Sequence, residues 1–293
     1  MATLRELKGR IGSVGSSEKI TGAMKMISSA KMHRAESDLR RLLPFRQQLE
    51  HILGNLLSAD AEFTSPLTEH RDLRRVTLVV LGTDDGLCGA YNINIFKEVV
   101  AKISAYHKAY GENVGITLVP IGKKMTKACR KLAIDGLTVD EAAGVNSKSG
   151  GDVVKGFVDY LRDKFLAADT DRVDVMYMNF QSVSRQRLRC DELLPLDPST
   201  ILGSEFKATC RPYIFEPSAQ DIFSSVLPMF LLATMQEIFT ENRASEQAAR
   251  VMAMQSANDN AKKLLEQLRL EFNKLRQQSI TTELLDILGG QVK

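Results

Sequence analysis

The sequence predicts a mixed α+β / α/β architecture. The two ends of the chain form a long antiparallel coiled coil, and a Rossmann-like α/β domain lies between them. Three observations carry this. Residues 229–288 contain neither Gly nor Pro. Apolar residues recur at three- and four-residue spacing at both ends of the chain. The middle alternates short β-branched runs with helical patterns. The expected organisation is an N-terminal coiled-coil helix over residues 1–58, a central α/β domain over 74–215, and a C-terminal helix over 218–289 that pairs with the first.

At the N-terminus, Leu4, Leu7, Ile11 and Val14 alternate spacings of three and four. After Gly15 the apolar stripe changes phase to Ile20, Met24 and Ile27, and Leu39, Leu42, Leu49, Leu53 and Leu56 extend it. Pro44 suggests a kink or a break there. Gly9, Gly12, Gly15 and Gly22 each weaken an isolated helix by about 1 kcal/mol relative to Ala, so their use implies close approach of a partner helix. Residues 1–41 carry nine basic side chains against four acidic ones, a bias that suits an acidic partner surface as well as it suits a solvated face.

In the middle, VTLVVL (76–81), ITLVPI (116–121) and VDVMYMNF (173–180) suit buried strands. Helical patterns over 93–110, 123–132 and 151–167 separate them and imply a mainly parallel sheet. A second pair of short strands is expected near 186–193 and 209–215. The loop after the first strand holds Gly86, Leu87, Cys88 and Gly89. It has neither a P-loop nor a dinucleotide pattern, and Asp84 and Asp85 repel phosphate, so a tight turn needing Gly86 and Gly89 is the expected reading.

At the C-terminus, the stretch without Gly or Pro is about 60 residues, long enough for a helix of about 90 Å. Ala261, Leu265, Leu268, Phe272 and Leu275 form a heptad seam. Past Leu275 the seam shifts to Ile280, Leu284 and Leu288. The last turns, from Arg276 to Leu288, are therefore expected to run beyond the partner helix.

Composition narrows the function. The opening residues lack the apolar segment of a signal peptide, and the most apolar stretch, 226–235, is shorter than the roughly 20 residues of a spanning helix, so membrane association through a partner is expected. Cys88, Cys129, Cys190 and Cys210 have neither metal nor redox spacing, and His33, His51, His70 and His107 are dispersed. No nucleophile motif stands out. Residues 229–288 hold seven basic and eight acidic side chains, which disfavours an arm that grips nucleic acid. An α/β enzyme with helical extensions would need a pocket at the carboxyl ends of the strands, over residues 82–92 and 122–124, and these lack a convincing acid–base set.

Several motifs, in order along the chain, resemble the gamma subunits of F-type ATP synthases. They are Leu7 to Val14 with Lys19 to Met26, the GLCG run Gly86–Gly89 followed by Asn92, Ser245 to Arg250 with Ala253-Met254 and Asn260-Ala261, and Asn273-Lys274, Arg276-Gln277, Ile280-Thr281 and Glu283-Leu284. The resemblance implies a central rotor shaft that is not itself catalytic and carries no cofactor or metal. It would couple proton-driven rotation of a membrane c ring to conformational cycling of a head of alpha and beta subunits, with an epsilon subunit beside it. The implied place is the cytoplasmic face of a bacterial inner membrane, peripheral and without direct membrane insertion. By motif match, Met24, Glu246, Arg250, Arg276, Gln277, Thr281 and Glu283 correspond to contacts with the beta subunit. Tyr213 and Glu216 correspond to the foot at the c ring and epsilon. Asp85 departs from the family, which usually has a basic residue before GLCG, and no chloroplast-type regulatory insertion is present.

Overall fold

The β-branched runs of the middle segment become the strands of one sheet, and the patterns between them become its covering helices. The structure is a computed structural model that describes residues 3–57, 63–111, 113–132, 134, 136–197 and 215–290. In chain order it contains α1 (Leu4–Leu57), a 3-10 turn (Pro66–Thr68), β1 (Arg75–Leu81), α2 (Tyr91–Tyr110), β2 (Gly115–Ile121), α3 (Lys123–Cys129), β3 (Leu137–Val139), α4 (Asp152–Leu166), β4 (Arg172–Phe180), β5 (Gln186–Leu194) and α5 (Ala219–Gly290). The strand expected at 209–215 lies outside the described residues except for its last position, and Cys210 lies outside them too. The short strand β3 was not anticipated, because three residues are too few to show a period.

The chain divides into two compact units: Met1–Ser29 with Arg250–Lys293, and Ala30–Ala249. The division passes through both long helices.

In the larger unit the strand order is β3-β2-β1-β4-β5. The first four pair in parallel and β5 is antiparallel to β4, so the sheet is mixed. Side-chain alternation splits the strands between two cores. Val76, Leu78, Val80, Ile116, Leu118, Met176 and Met178 face α2 and α3, where Tyr91, Ile95, Val99, Ile103 and Tyr106 present one helical stripe. Val79, Leu81, Val119, Ile121, Val173, Val175 and Tyr177 face the other way, toward α4, α5 and the distal part of α1. Helices on both faces of a parallel sheet, with the order reversing beside β1, define the doubly wound arrangement.

Within α5, one stretch is apolar enough over eighteen residues to pass as a membrane span by composition, contrary to the shorter run counted from sequence. Half of it is buried. Phe223, Leu227, Phe230, Leu231, Met235 and Phe239 belong to the core beneath the sheet, which accounts for its apolarity.

In the smaller unit, the first turns of α1 lie against α5. A Cβ added at Gly15 would lie 3.9 Å from Leu265, and one at Gly22 would lie 3.3 Å from Asn258. These two pairs step by the same number of residues in opposite directions, so the helices are antiparallel. Gly9 and Gly12 face open space, so close approach explains only the other two glycines. Asn258 is buried and its Nδ2 donates to the Glu18 carbonyl (2.7 Å) and Thr21 Oγ1 (3.3 Å). A buried amide inside a helical seam fixes register, because sliding would strand its hydrogen bonds.

The stripe of α1 does not change phase at Gly15. The shielded positions continue as Glu18, Thr21, Lys25 and Ser28, then Met32, Ala35 and Leu39, at unbroken alternating spacing. Polar residues fill most of that part of the seam; of the expected stripe Ile20 and Ile27 point outward at 58% and 56% exposure, while Met24 is half-buried. α1 also runs without a break through Pro44, which sits on an exposed position. On α5 the expected seam from Ala261 to Leu275 is shielded throughout, and the next shielded residue is Ser279. Ile280, Leu284 and Leu288 do not continue it; with Leu285 and Ile287 they are exposed. The register carries Leu4, where α1 starts, to the level of Arg276, so the last turns of α5 have no α1 beside them.

This phase makes a direct test. Leu53→Ala, in the core of the larger unit, should lower stability by about 2–5 kcal/mol, whereas Ile20→Ala should change it by less than about 0.5 kcal/mol. Urea unfolding followed by circular dichroism measures both.

Candidate functional site

In a doubly wound sheet, a ligand crevice opens beyond the carboxyl ends of the strands, where the order reverses. Here that point lies between β1 and β4, and α5 fills it. The β1–β4 pairing ends at Val80 and Met176. Just beyond, Asn242 of α5 inserts its carboxamide between the two strands. Its Nδ2 donates to the Gly82 carbonyl (3.3 Å), and its Oδ1 accepts from the Met178 N–H (3.4 Å) and from the Tyr91 hydroxyl (2.8 Å). A side-chain amide thus replaces one backbone rung where the strands part. Ser245 Oγ donates to the Met178 carbonyl (2.9 Å), and Asn179 Nδ2 donates to Glu241 (2.7 Å). The helix is buried nearly all round here, including Thr240, Glu241, Asn242, Ser245, Glu246 and Gln247.

The GLCG loop leaves β1 beside this plug. Its left-handed residues are Leu87 (φ 64°) and Gly89 (φ 61°). Gly86 is not left-handed, and a Cβ there would meet only Lys124 at 3.9 Å, so the expected need for glycine at Gly86 is not met. The glycines the backbone does require flank the loop. A Cβ on Gly82 would lie 2.5 Å from that of Met125, and one on Gly122 (φ 98°) would lie 2.8 Å from the Thr83 backbone. Cys88 is buried with its Sγ 3.6 Å from Asn92 Nδ2, while Leu87 at the loop tip is 58% exposed.

Asp84 binds three donors: the Lys123 N–H (3.0 Å), the Ser147 N–H (3.0 Å) and Ser147 Oγ (2.8 Å). Its carboxylate takes the backbone donors that an anionic ligand would need. Asp85 pairs with Lys148 at 2.8 Å. That pairing, with Asp84 and Glu246 nearby, raises the lysine's pKa. Arg243 donates to the Lys148 and Ser149 carbonyls, tying α5 to the same loop. Among the described residues, no group of three or more His, Cys, Asp or Glu side chains converges as a metal site.

A second polar cluster lies where α1 passes α5 within the larger unit. Arg46 pairs with Glu50 (2.6 Å) and with Glu237. Burial pushes the Glu237 carboxyl up to about 7, with Arg46 opposing the shift and Glu241 and Glu50 adding to it.

The sequence-derived partner residues separate by exposure. Arg276, Gln277, Thr281 and Glu283 are all exposed on the last turns of α5, where Thr281 Oγ1 donates to the Gln277 carbonyl (2.9 Å). Met24 is half-buried on α1. Glu246 and Arg250 are buried, at 2% and 6% exposure. Glu216 is exposed before the start of α5, and Tyr213 lies outside the described residues. Sequence reasoning missed Asn242 and Tyr91. The available signal was the polar run from Thr240 to Gln247 directly after the apolar stretch of α5.

The larger unit is a mixed sheet whose switch point is plugged by the chain's own long helix, and the smaller unit is an antiparallel helical pair. The sequence model of the ATP synthase family matches residues 3–292. The chain is 39% identical over 292 residues to the ATP synthase gamma chain of Phocaeicola vulgatus, covering all of both chains. It is 39% identical over 291 residues to that of Parabacteroides distasonis, covering 99% of this chain and 98% of the relative. In fold it resembles a chain of the Euglena gracilis mitochondrial ATP synthase OSCP/F1/c-ring structure (TM-score 0.63, 19% identity, 98% and 93% coverage). It also resembles one from the Tetrahymena thermophila mitochondrial central stalk/c-ring structure (TM-score 0.56, 22% identity, 81% and 99% coverage). The chain belongs to the ATP synthase gamma-chain family.

Two outcomes follow from this geometry. Gly122→Ala should cost about 2 kcal/mol or more, because it combines a left-handed φ with a backbone clash, whereas Gly86→Ala should stay within about 0.5 kcal/mol; denaturant midpoints compare them. Glu237 gives a pH dependence. Between the ordinary carboxylate pKa and about 7, the folded chain holds a proton that the unfolded chain has released, so this residue's contribution to stability is lost as pH rises through that window. Glu237→Gln should flatten that decline in unfolding experiments at pH 5 to 8; an unchanged slope would refute the assignment.

Proposed function

We propose that this chain is the central shaft of an F-type ATP synthase. It couples proton-driven rotation of the membrane c ring to conformational cycling of the head of alpha and beta subunits, and it performs no catalysis itself. One observation carries the reading: the last turns of α5 extend past the start of α1 as a bare helix with apolar and hydrogen-bonding side chains exposed together. Such an end suits insertion into a surrounding assembly. Membership of the gamma-chain family supports it.

On this reading the beta subunit is met by Arg276, Gln277, Thr281 and Glu283, with Met24 lower on the shaft. Arginine's planar fork of donors matches carboxylates and backbone carbonyls. Glu246 and Arg250 act differently from a surface contact, because their side chains are enclosed: they influence the head through the helix they hold in place. The cationic bias of residues 1–41 favours an acidic partner surface. Tyr213 and Glu216 belong to the foot that meets the c ring and epsilon. The working place is the cytoplasmic face of a bacterial inner membrane, peripheral and bound through these partners. The crevice that an α/β enzyme would use is occupied by Asn242, which favours the rotor over the enzyme reading.

Reconstitution with alpha and beta subunits of a bacterial relative tests the proposal. The chain should enter the complex and raise its ATP hydrolysis; a chain left out of the complex, or hydrolysis that is the same without it, sinks the reading. Arg276→Ala with Gln277→Ala should lower assembly or turnover while leaving the unfolding midpoint of the free chain unchanged, since both side chains are exposed. Unaltered ATP synthesis would remove these contacts from the account.

A further inference from the structure

We infer that the polar belt of α5 centred on Asn242 is the key that locks the long helix to the α/β domain, so that torque applied to the domain turns the helix without slip. This rests on the rotor reading above and adds the site at which the load crosses from sheet to helix.

The argument starts from burial. From Ile238 to Ala248 the helix is shielded nearly all round. Apolar surface alone grips poorly against rotation or sliding, because burial energy is non-directional and equivalent apolar side chains can exchange places. The belt instead places directional groups at three levels. Glu241 accepts from Asn179 of β4, Asn242 bridges Gly82 and Met178, and Ser245 donates to the Met178 carbonyl. Arg243 holds the Lys148 and Ser149 carbonyls on the opposite side. Tyr91 at the start of α2 donates to both Oδ1 (2.8 Å) and the backbone carbonyl (3.1 Å) of Asn242. The helix is therefore bonded to β1, β4, α2 and the loop before α4 within two turns.

The Asn242 contact resists motion because of where it sits. The Gly82 carbonyl and Met178 N–H have lost their strand-to-strand rung, and both are deep in the fold. A rotation or one-residue slide of α5 would withdraw the carboxamide and leave a buried donor and a buried acceptor unpaired, which costs about 1–3 kcal/mol for each group. Only an amide of this length offers a donor to one strand and an acceptor to the other. The buried polar group thus specifies position rather than adding net stability, as a lone Asn does in a coiled-coil seam.

The test uses the complete enzyme in membrane vesicles and reads proton pumping per ATP hydrolysed. Asn242→Leu keeps the size and removes the bridge; Tyr91→Phe removes a single hydroxyl; Val99→Ala destabilises the same domain from α2 without touching the belt. Pumping per ATP should fall by about threefold or more in Asn242→Leu and by less in Tyr91→Phe, as expected when buried hydrogen bonds worth about 1 kcal/mol each are lost, and should be unchanged in Val99→Ala. Hydrolysis by the detached head should be unaffected in all three. A wild-type ratio in both belt variants overturns the inference, and so does an equal fall in Val99→Ala. If Asn242→Leu does not accumulate, Tyr91→Phe decides, and a wild-type ratio there is again fatal. A wild-type chain that supports no pumping would instead remove the rotor reading itself.

Discussion

The constraint on which this structure depends is the enclosure of α5 where it crosses the open end of the sheet. A helix crossing that point must supply backbone partners that parallel strands cannot supply once they part, and Asn242 does so. The position of α5 then determines which residues cover the lower face of the sheet, from Phe223 to Phe239, and which polar side chains reach the loops from β1 and before α4. The GLCG loop is shaped from the same end: Gly82 and Gly122 allow β1, β2 and α3 to converge there, and Asp84 occupies the backbone donors left over.

A second consequence of this packing is electrostatic. Placing Glu237 and Glu241 on one buried side of α5 raises the pKa of both carboxyls, chiefly because burial disfavours the charged form, and Arg46 and Arg189 only partly oppose this. Asp85 with Lys148 shows the opposite situation. That pair is exposed and close, and its contribution is modest in water. An acidic side chain is easily accommodated there, because a partner of opposite sign lies within reach on a neighbouring loop.

Much of the fold was legible because its elements announce themselves locally. β1, β2 and β4 are largely apolar runs carrying β-branched residues, and the Ala261–Leu275 seam uses mostly large apolar residues at regular spacing. The phase of α1 was not legible. Between Val14 and Met32 its regularly spaced inward positions are Glu18, Thr21, Lys25 and Ser28, with Met24 half-buried beside them, whereas the apolar Ile20 and Ile27 face outward, so hydrophobicity pointed mostly to the wrong side. The inward side is set by the partner helix, whose Asn258 makes a polar seam acceptable. Arg276 and Glu283 are exposed as helix-end charges ordinarily are. Glu246 and Arg250 are enclosed against the usual preference of charged side chains, and that depends on a packing environment remote in sequence. Asn242 escaped notice for the same reason, since Gly82, Tyr91 and Met178 are far from it along the chain.

The exposed far end of α5 has a consequence for the life of the chain before it reaches its place. Ile280, Leu284, Leu285, Ile287 and Leu288 are exposed on a single helix, with no second helix beside them among the described residues. A contiguous apolar face of this kind invites unwanted association until something covers it. On the proposed shaft reading timing therefore matters as much as shape: a chain synthesised far ahead of the surface proposed to shelter this tip would carry a sticky end, and matched supply of its companions would be the simplest protection.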